Sequence, residues 1–253
     1  MHTLRLLTWN VCRFEGNDGV VDPIRAADAI RHLEPDLVAL QEVLHPGYVN
    51  GIATWPLREF GHELGMGLAF ARNAYLQYGT QRGEFGNALL KRGPYDGAQN
   101  YLLPMTPAPP DGSTQRGLLS IRFDLKFRQF FVYTTHLDPR QSQPLQLAQL
   151  KEALAHIKLW NSPHVLMGDF NCPSPRDPDP ESTERTQTIQ SVLEAGYVDA
   201  GWFRGHKTFP AQNSRIDYIF VQAGVTISRC EVIDTPATRA ASDHLPLYAE
   251  LAL

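Results

Sequence analysis

Short apolar runs recur along the whole chain, often with polar residues in alternate positions, and they predict a protein rich in β-strands. The runs contain many leucine, β-branched and aromatic residues, and no shift of composition separates one part of the chain from another. The predicted strands are Leu4–Val11, Asp36–Val43, Gly67–Ala71, Asn87–Lys91, Gly117–Leu125, Gln129–Thr135, His164–Met167, Arg215–Val221, Thr226–Ile233 and Leu245–Leu251.

Two segments have helical rather than strand periodicity. The first is predicted to begin after Asp22 as N-cap, with Pro23 in the first helical position, and to stop before Pro35. Its inward side chains are predicted to be Ile24, Ala27, Ile30 and Leu33. The second is predicted from Pro144 to about Leu159, where one face carries Leu147, Leu150, Leu154 and Ile157.

Weaker helical patterns at Ala53–Leu64 and Glu184–Ala195 complete the predicted elements. Helices and strands mix without the strict alternation of a doubly wound fold, which favours mixed sheets covered by helices. Nothing resembles a linker, so we expect one domain over residues 1–253. Proline-rich stretches at Thr106–Gln115 and Cys172–Glu181 predict surface loops, and the second is placed to shape substrate access.

Charge and cysteine content narrow the function classes. The net charge of −4 argues mildly against a polyanion as partner, although it leaves room for a local basic groove. Cys12, Cys172 and Cys230 are too few and too widely spaced for a disulfide framework, so we expect unpaired thiols. With no leader pattern and no apolar run long enough to cross a bilayer, we expect a cytoplasmic protein.

Polar side chains follow several of the predicted strands. Asn10 and Glu42 each come at the end of an apolar run, and a carboxylate there suits Mg²⁺. Asp169 and Asn171 are spaced by two after another run, so both side chains leave the same face and can orient a water or hold a metal. Each residue taken singly is also explained by a surface strand end or an Asx turn.

Two histidines and two further carboxylates extend this set. Asp243 and His244 precede the final strand, and Asp217 begins an apolar one, which makes Asp217 the candidate that orients the His244 ring. His136 also follows a strand, although a lone histidine there is usually structural. One shared site explains eight polar residues at strand ends better than eight separate reasons do.

The residues of these motifs and their order along the chain resemble those of the endonuclease/exonuclease/phosphatase superfamily, the group with the deoxyribonuclease I-like fold. The likeness covers nearly the whole chain. It is carried by Thr8-Trp9-Asn10, Gln41-Glu42-Val43, Thr135-His136-Leu137, Gly168-Asp169-Phe170-Asn171, Arg215-Ile216-Asp217-Tyr218 and Ser242-Asp243-His244, in the family's order.

The resemblance implies a four-layer α/β sandwich of the α+β type, with two packed mixed β-sheets flanked by helices. It implies that Glu42 is the main ligand of Mg²⁺ or Mn²⁺, helped by Asn10 and Asp243. It implies that Asp169 and Asn171 orient the attacking water. His244, held by Asp217, would contact the scissile phosphate, and His136 would stabilise the phosphate or the leaving group.

Two more residues lie in segments similar to small bacterial-type members of the family. Arg116 has a fork geometry that suits phosphate oxygens, and Asn87 could also reach the substrate, but edge hydrogen bonding or surface exposure explains both almost as well. The Thr-His-Leu form around His136 is less typical of the abasic-site endonuclease branch. It is shared by branches that act on nucleotides and by branches that act on lipids.

The sequence therefore predicts a divalent-metal-dependent phosphoesterase, with a phosphodiesterase or nuclease as the first interpretation and nucleic acid left open as the substrate. The alternative is a phospholipid or inositol-phosphate phosphatase of the same superfamily. A non-catalytic binding member is a weaker hypothesis, because it should have lost Glu42, Asp169 or His244. No protein partner is implied.

Overall fold

Two mixed β-sheets form the centre of the molecule. The computed structural model describes residues 3–105, 114–125, 128–139, 143–175, 186–201 and 207–252. The first sheet has the strand order β12-β13-β1-β2-β5-β4, with β3 paired to β2. Its strands are β1 Thr3–Asn10, β2 Leu37–Val49, β3 Ile52–Thr54, β4 Gly67–Tyr78, β5 Gln81–Lys91, β12 Thr226–Val232 and β13 Leu247–Ala252.

The second sheet has the order β10-β11-β9-β8-β7-β6. Alternation of side chains gives each sheet one face toward the other, and Leu6, Leu89, Val132 and Ile219 lie in the apolar layer between them. The strands of the second sheet are β6 Gly97–Leu102, β7 Gly117–Leu125, β8 Arg128–His136, β9 His164–Asp169, β10 Tyr197–Asp199 and β11 Asp217–Gln222.

Helices cover the outer face of each sheet. Residues of α1, α2 and α5 join one apolar cluster with β1 and β2, and residues of α3 and α4 join another with β8 and β9. The helices are α1 Pro23–Arg31, α2 Pro56–Leu64, α3 Gln143–Lys158, α4 Gln187–Glu194 and α5 Pro236–Ala241. Helix, sheet, sheet and helix thus form the four layers of the predicted α/β sandwich, which is confirmed. Within the described part of the chain, no helix is long and apolar enough to cross a membrane.

The first helix shows how local chemistry sets an element. Asp22 Oδ1 accepts a hydrogen bond from the Arg25 amide at 2.9 Å, and Pro23 occupies the first helical position, as predicted. The prediction that Ile24 faces inward is wrong, because its side chain is 46% exposed. Ala27, Ile30 and Leu33 are buried as predicted, and Ala26 takes the place in the apolar cluster that was predicted for Ile24.

Several boundaries differ from the predictions. The predicted helix from Ala53 begins at Pro56, because residues 52–54 pair with β2 as a short strand. Strands β3, β6 and β10 and helix α5 were not predicted. Residues 106–113 of the first predicted loop lie outside the described residues, as do residues 176–185, which include the end of the second predicted loop and the start of the helix predicted from Glu184. Cys172 and Ser174, at the start of the second loop, are buried and not on the surface.

Parallel pairing brings the functional strand ends together. In the register of β1 with β2, Asn10 lies opposite Gln41, and in that of β8 with β9, His136 lies opposite Asp169. Gln41 Nε2 donates a hydrogen bond to Thr134 Oγ1 at 2.9 Å and so links the two sheets directly beneath these ends. The strand ends of both sheets therefore converge on one region.

Candidate active site

Asn10 and Glu42 lie side by side at the ends of β1 and β2. The register of β2 with β5 shifts between Leu40 and Val43, and Glu42 has a positive φ of 54°. This irregularity turns Glu42 out of the regular alternation of the strand. Asn10 Nδ2 lies 3.3 Å from Glu42 Oε1 and donates at 3.1 Å to Asp169 Oδ2. One amide thus links carboxylates from both sheets.

Asp169 is the central buried acid of the site. Its Oδ1 accepts the Asn171 amide at 2.8 Å, while Oδ2 lies 3.5 Å from His136 Nε2 and 3.9 Å from His244 Nε2. Burial and the nearby Asp217 carboxylate raise the pKa of Asp169 to about 7. Asp169 is therefore poised to exchange a proton near neutral pH.

The predicted contact between Asp217 and His244 is present. His244 Nδ1 lies 2.9 Å from Asp217 Oδ2, and both side chains are buried. Burial opposes a charge on the His244 ring, but the carboxylates of Asp217, Asp169 and Asp243 together outweigh it and raise the pKa of His244 to about 10. His244 is thus an imidazolium at neutral pH, with Nε2 directed toward Asp169.

Neighbouring groups hold this pair in place. Ser242 Oγ donates to the Asn10 carbonyl at 2.7 Å, and Trp9 Nε1 donates to the His244 carbonyl at 2.9 Å. Thr208 Oγ1 accepts the Asp217 amide at 3.2 Å. The loop that carries His244 is therefore attached to β1, and the start of β11 to the segment around Thr208.

His136 has two potential donors. Arg116 Nη1 lies 3.0 Å from Nδ1, and Asn171 Nδ2 lies 2.8 Å from Nε2. Burial and the positive charges of Arg116 and His244 hold the pKa of His136 well below its usual range, so the ring is neutral. A neutral imidazole accepts at one nitrogen only. Arg116 and Asn171 therefore cannot both donate to the ring, and Asn171 Nδ2 also donates to the Leu137 carbonyl at 3.0 Å.

Two groups of ligand atoms could hold a cation. The ligands predicted from the sequence are the carboxylates of Glu42 and Asp243 and the amide oxygen of Asn10, which accepts the Cys12 amide at 3.1 Å; Asp243 is exposed and the Glu42 side chain is 25% exposed. Asp169, Asp217 and His244 form a buried group whose ligand atoms all lie within 4.8 Å of one another. The oxygen-only set is the one that fits a hard cation that keeps part of its water shell.

The structure places Asn87 behind the site. It is buried, and its Nδ2 donates to the Gly117 carbonyl at 3.1 Å, a contact between β5 of one sheet and β7 of the other. This placement favours the packing interpretation over substrate contact. The other nine predicted site residues lie together at the converging strand ends.

Sequence reasoning missed Arg13. Its Nη1 lies 3.3 Å from Glu42 Oε2 and its Nη2 lies 3.5 Å from Glu15 Oε2. Arg13 sits in a turn in which Cys12, Arg13 and Phe14 all have positive φ, of 43°, 62° and 60°. No local sequence pattern predicts a backbone with positive φ at three consecutive residues other than glycine. The signal that the sequence offered was the position of Arg13, three residues after Asn10.

Comparisons with known proteins agree with this geometry. The model of the Endonuclease/Exonuclease/phosphatase family matches residues 7–244. A crystal structure of an endonuclease/exonuclease/phosphatase from Beutenbergia cavernae is 26% identical, with a TM-score of 0.78, and the match covers 100% of this chain and 72% of that one. No curated protein matches the chain.

Two further structures are similar in fold alone. A mannosyl-6-phosphatase of Bacteroides thetaiotaomicron is 18% identical with a TM-score of 0.74, and the match covers 99% of this chain and 100% of that one. The human Nocturnin catalytic domain is 18% identical with a TM-score of 0.73, over 99% and 93% of the two chains. Given the family match over nearly its whole length, the chain belongs to the endonuclease/exonuclease/phosphatase family and is an enzyme that hydrolyses phosphoric esters.

Proposed function

We propose that the protein is a divalent-metal-dependent phosphoesterase in which an oriented water attacks the phosphorus atom in line with the leaving alcohol. The convergence on Asp169 carries this proposal: amide and imidazole groups from Asn10, His136 and His244 surround one carboxylate oxygen. Such an oxygen, at the meeting point of two sheets, is suited to hold a water beside a phosphate.

Glu42, Asn10 and Asp243 would hold Mg²⁺ or Mn²⁺. Their oxygen-only chemistry and solvent access support this assignment. When bound, the cation supplies charge stabilisation to the phosphoryl oxygens. Arg13 lies on Glu42 Oε2, so the chain itself partly neutralises the carboxylate that would be the main ligand.

The remaining residues act on the water, the phosphate and the leaving group. Asp169 accepts the proton of the attacking water, with Asn171 holding Asp169 Oδ1 through its backbone amide. His244, oriented by Asp217, donates from Nε2 toward the phosphate. As the P–O bond to the alcohol breaks, His136, which Arg116 contacts at Nδ1 and Asn171 at Nε2, stabilises the phosphate or the leaving group.

Finer features of the function are proposals as well. For the reaction, our first proposal is nuclease or phosphodiesterase activity, and the alternative is hydrolysis of a phospholipid or an inositol phosphate. We also propose that the protein acts in the cytoplasm, since its three widely spaced cysteines do not form the pattern of a secreted disulfide framework.

The test is hydrolysis of an aryl phosphate and of a bis-aryl phosphate with Mg²⁺, with Mn²⁺ and with excess chelator. We expect activity that chelator removes and either cation restores. Glu42→Gln keeps the shape of the side chain but removes its charge, so we expect much weaker metal binding by calorimetry and an intact fold. Glu34→Gln, at an exposed residue outside the site, is the matched control. Full activity in chelator would exclude the metal mechanism.

A further inference from the structure

A cavity of about 710 Å³ adjoins the site and is joined to it by Arg13. The Arg13 guanidinium pairs with Glu42 on one side and with Glu15 on the other, and it lies over the Tyr78 ring at 4.3 Å. Glu15 and Tyr78 both line the cavity, which we call the Tyr78 cavity. Its volume lies within the range of small-molecule sites, about 300–1,000 Å³. Glu42 and the Tyr78 cavity therefore lie on two sides of one arginine.

The backbone around Arg13 is strained in a way that favours this position. Three consecutive residues other than glycine, Cys12 to Phe14, adopt the left-handed region. Phe14 is buried and packs on Phe60 at 5.4 Å, which anchors the turn in the core. Strain of this kind persists where the surrounding structure imposes it and is concentrated at ligand clamps. Its effect here is to hold one cation between the catalytic carboxylate and the cavity.

The charges of the cavity select what enters it. Two carboxylates, Glu15 and Glu59, line it, and the described residues of its wall include no lysine or arginine. Phosphate groups of a nucleic-acid strand would be repelled there, because strands are bound by clustered cations. The phosphate of the substrate therefore stays at the Arg13 and Glu42 end, and an uncharged group fills the cavity.

The polar atoms of the wall are mostly hydrogen-bond acceptors. The carboxylates of Glu15 and Glu59 only accept, and the Asn50 amide accepts as well as donates. Gln81 Nε2 already donates to Glu15, which leaves the buried Gln81 Oε1 as a further acceptor. Tyr78, 56% exposed, adds a ring surface on which the C–H face of another ring can lie. Hydroxyl groups around a saturated ring supply donors to such a wall and an apolar face to the tyrosine.

A positively charged group fits less well. The Tyr78 ring already carries the Arg13 guanidinium, which also pairs with Glu15. A positively charged ligand at Tyr78 and Glu15 would be repelled by the Arg13 guanidinium, which already contacts both side chains.

Two other arginine–tyrosine pairs belong to a different surface. Arg82 lies over Tyr48 at 5.1 Å and Arg72 lies over Tyr75 at 5.3 Å. The register of β4 with β5 pairs Tyr75 with Glu84 but Tyr78 with Gln81, so the Tyr75 and Tyr78 side chains leave opposite faces of the hairpin. Tyr75 is therefore an exposed tyrosine under an arginine that does not line the Tyr78 cavity.

We propose that the Tyr78 cavity binds the neutral polyhydroxyl ring of a phosphomonoester, a sugar or a cyclitol, while the phosphate lies at Glu42 and Arg13. This inference rests on the proposed function, because it names the substrate class of the same site, and within that function it selects phosphomonoester hydrolysis over nuclease or phosphodiesterase action. Tyr78, Glu15 and Arg13 are then the residues that determine specificity.

The experiment measures kcat and KM on the full chain with Mg²⁺ for a hexose monophosphate, an inositol monophosphate, phosphocholine, a 5′-phosphorylated oligonucleotide and p-nitrophenyl phosphate. We expect at least one of the two polyol phosphates to be the preferred natural substrate, and the two arms distinguish sugar from cyclitol. Tyr78→Ala and Glu15→Gln should each lower its kcat/KM relative to that of p-nitrophenyl phosphate by about tenfold, mainly through KM. Tyr75→Ala should leave that ratio unchanged.

Binding of the free polyol, followed by saturation-transfer NMR, gives a readout that needs no turnover. We expect the signal to be lost in Tyr78→Ala and kept in Tyr75→Ala. Preference for phosphocholine or the oligonucleotide, or equal effects of the two tyrosine variants, would overturn the cavity assignment and leave the proposed function standing. Polyol binding without hydrolysis of any phosphate would overturn the proposed function instead.

Discussion

At the scale of single residues, the pairing of Asp217 with His244 has a measurable consequence. Asp217 Oδ2 lies 2.9 Å from His244 Nδ1, which leaves Nε2 to face the substrate. His244→Ala should reduce turnover on the order of 10²-fold or more, and Asp217→Asn should reduce it less. Because Asp217 acts through the ring, the double variant should lose little more than His244→Ala. Turnover, metal titration and thermal unfolding of the three variants test this, and fully multiplicative losses would show independent action.

Cys172 provides a second prediction at this scale. It follows Asn171 directly, but its side chain is buried and its Sγ lies 3.6 Å from the Pro173 carbonyl. A buried thiol that donates to a backbone carbonyl is a poor nucleophile. Cys172→Ser should therefore keep turnover close to that of the unmodified protein. Loss of turnover with normal folding and metal affinity would replace the water-attack mechanism with a covalent one.

At the scale of elements, the close approach of β8 and β9 depends on Gly168. Its φ is 141°, and a Cβ there would lie 2.0 Å from the Thr135 carbonyl oxygen in β8. Gly168→Ala must push β9 away from β8, where Asp169 faces His136 across the register. We expect a loss of at least ~2 kcal/mol of unfolding free energy and a loss of turnover in the molecules that remain folded.

Gly224→Ala is the matched control for this prediction. Gly224 also has a positive φ, of 91°, but a Cβ there meets nothing within 4 Å. It should cost only the backbone strain, about 1–2 kcal/mol, with turnover retained. Urea unfolding and activity of both variants provide the measurement. Equal losses of stability and turnover in the two variants would show that the close approach of β9 to β8 at Gly168 is not required.

The elements also show which patterns can be recognised locally. Strand β6 has an exposed pattern on a sheet edge, and β3 and β10 span three residues each, so their pairing partners define them. Helix α5 had a signal that was overlooked: Thr235 forms a capping box with Thr238 and precedes Pro236. The long helix α3 was predicted well, because a repeated apolar face is local information.

At the scale of the whole molecule, stability should depend on pH through His45. Burial and the positive charge of Arg58 lower the pKa of His45 to about 4, against a smaller opposite effect of Glu84. The unfolded chain takes up this proton at about pH 6.5. The contribution of His45 is therefore fully present above about pH 6.5 and is lost as pH falls toward 4.

His45→Phe should remove this loss while keeping a ring against Trp55 and Phe70, whose centroids lie 5.6 Å and 5.7 Å from that of His45. The variant should therefore gain stability relative to the unmodified protein between about pH 7 and about pH 5. Urea unfolding at both values measures the difference. A difference that does not change with pH would contradict the low pKa of His45.

The sequence by itself determined the family, the layered class of the fold and the chemistry of the strand ends. Period-two alternation decides which face of a strand is buried, and a polar residue that ends an apolar run is visible without coordinates. Asn10, Glu42, Asp169 and His244 could be named for that reason. Their catalytic roles and the single domain over residues 1–253 stay predictions.

Tertiary structure alone decided which distant residues share a surface. Arg13 reaches Glu42 through a backbone turn that no local preference encodes, and its guanidinium lies over the Tyr78 ring only because the β4–β5 hairpin pairs beside β2. Ile24 was predicted to be buried, yet the sheet is covered by smaller alanines of the same helix. These outcomes depend on close packing between segments far apart in sequence, whereas an apolar pattern records only that a residue is suited to burial and not which neighbour will cover it.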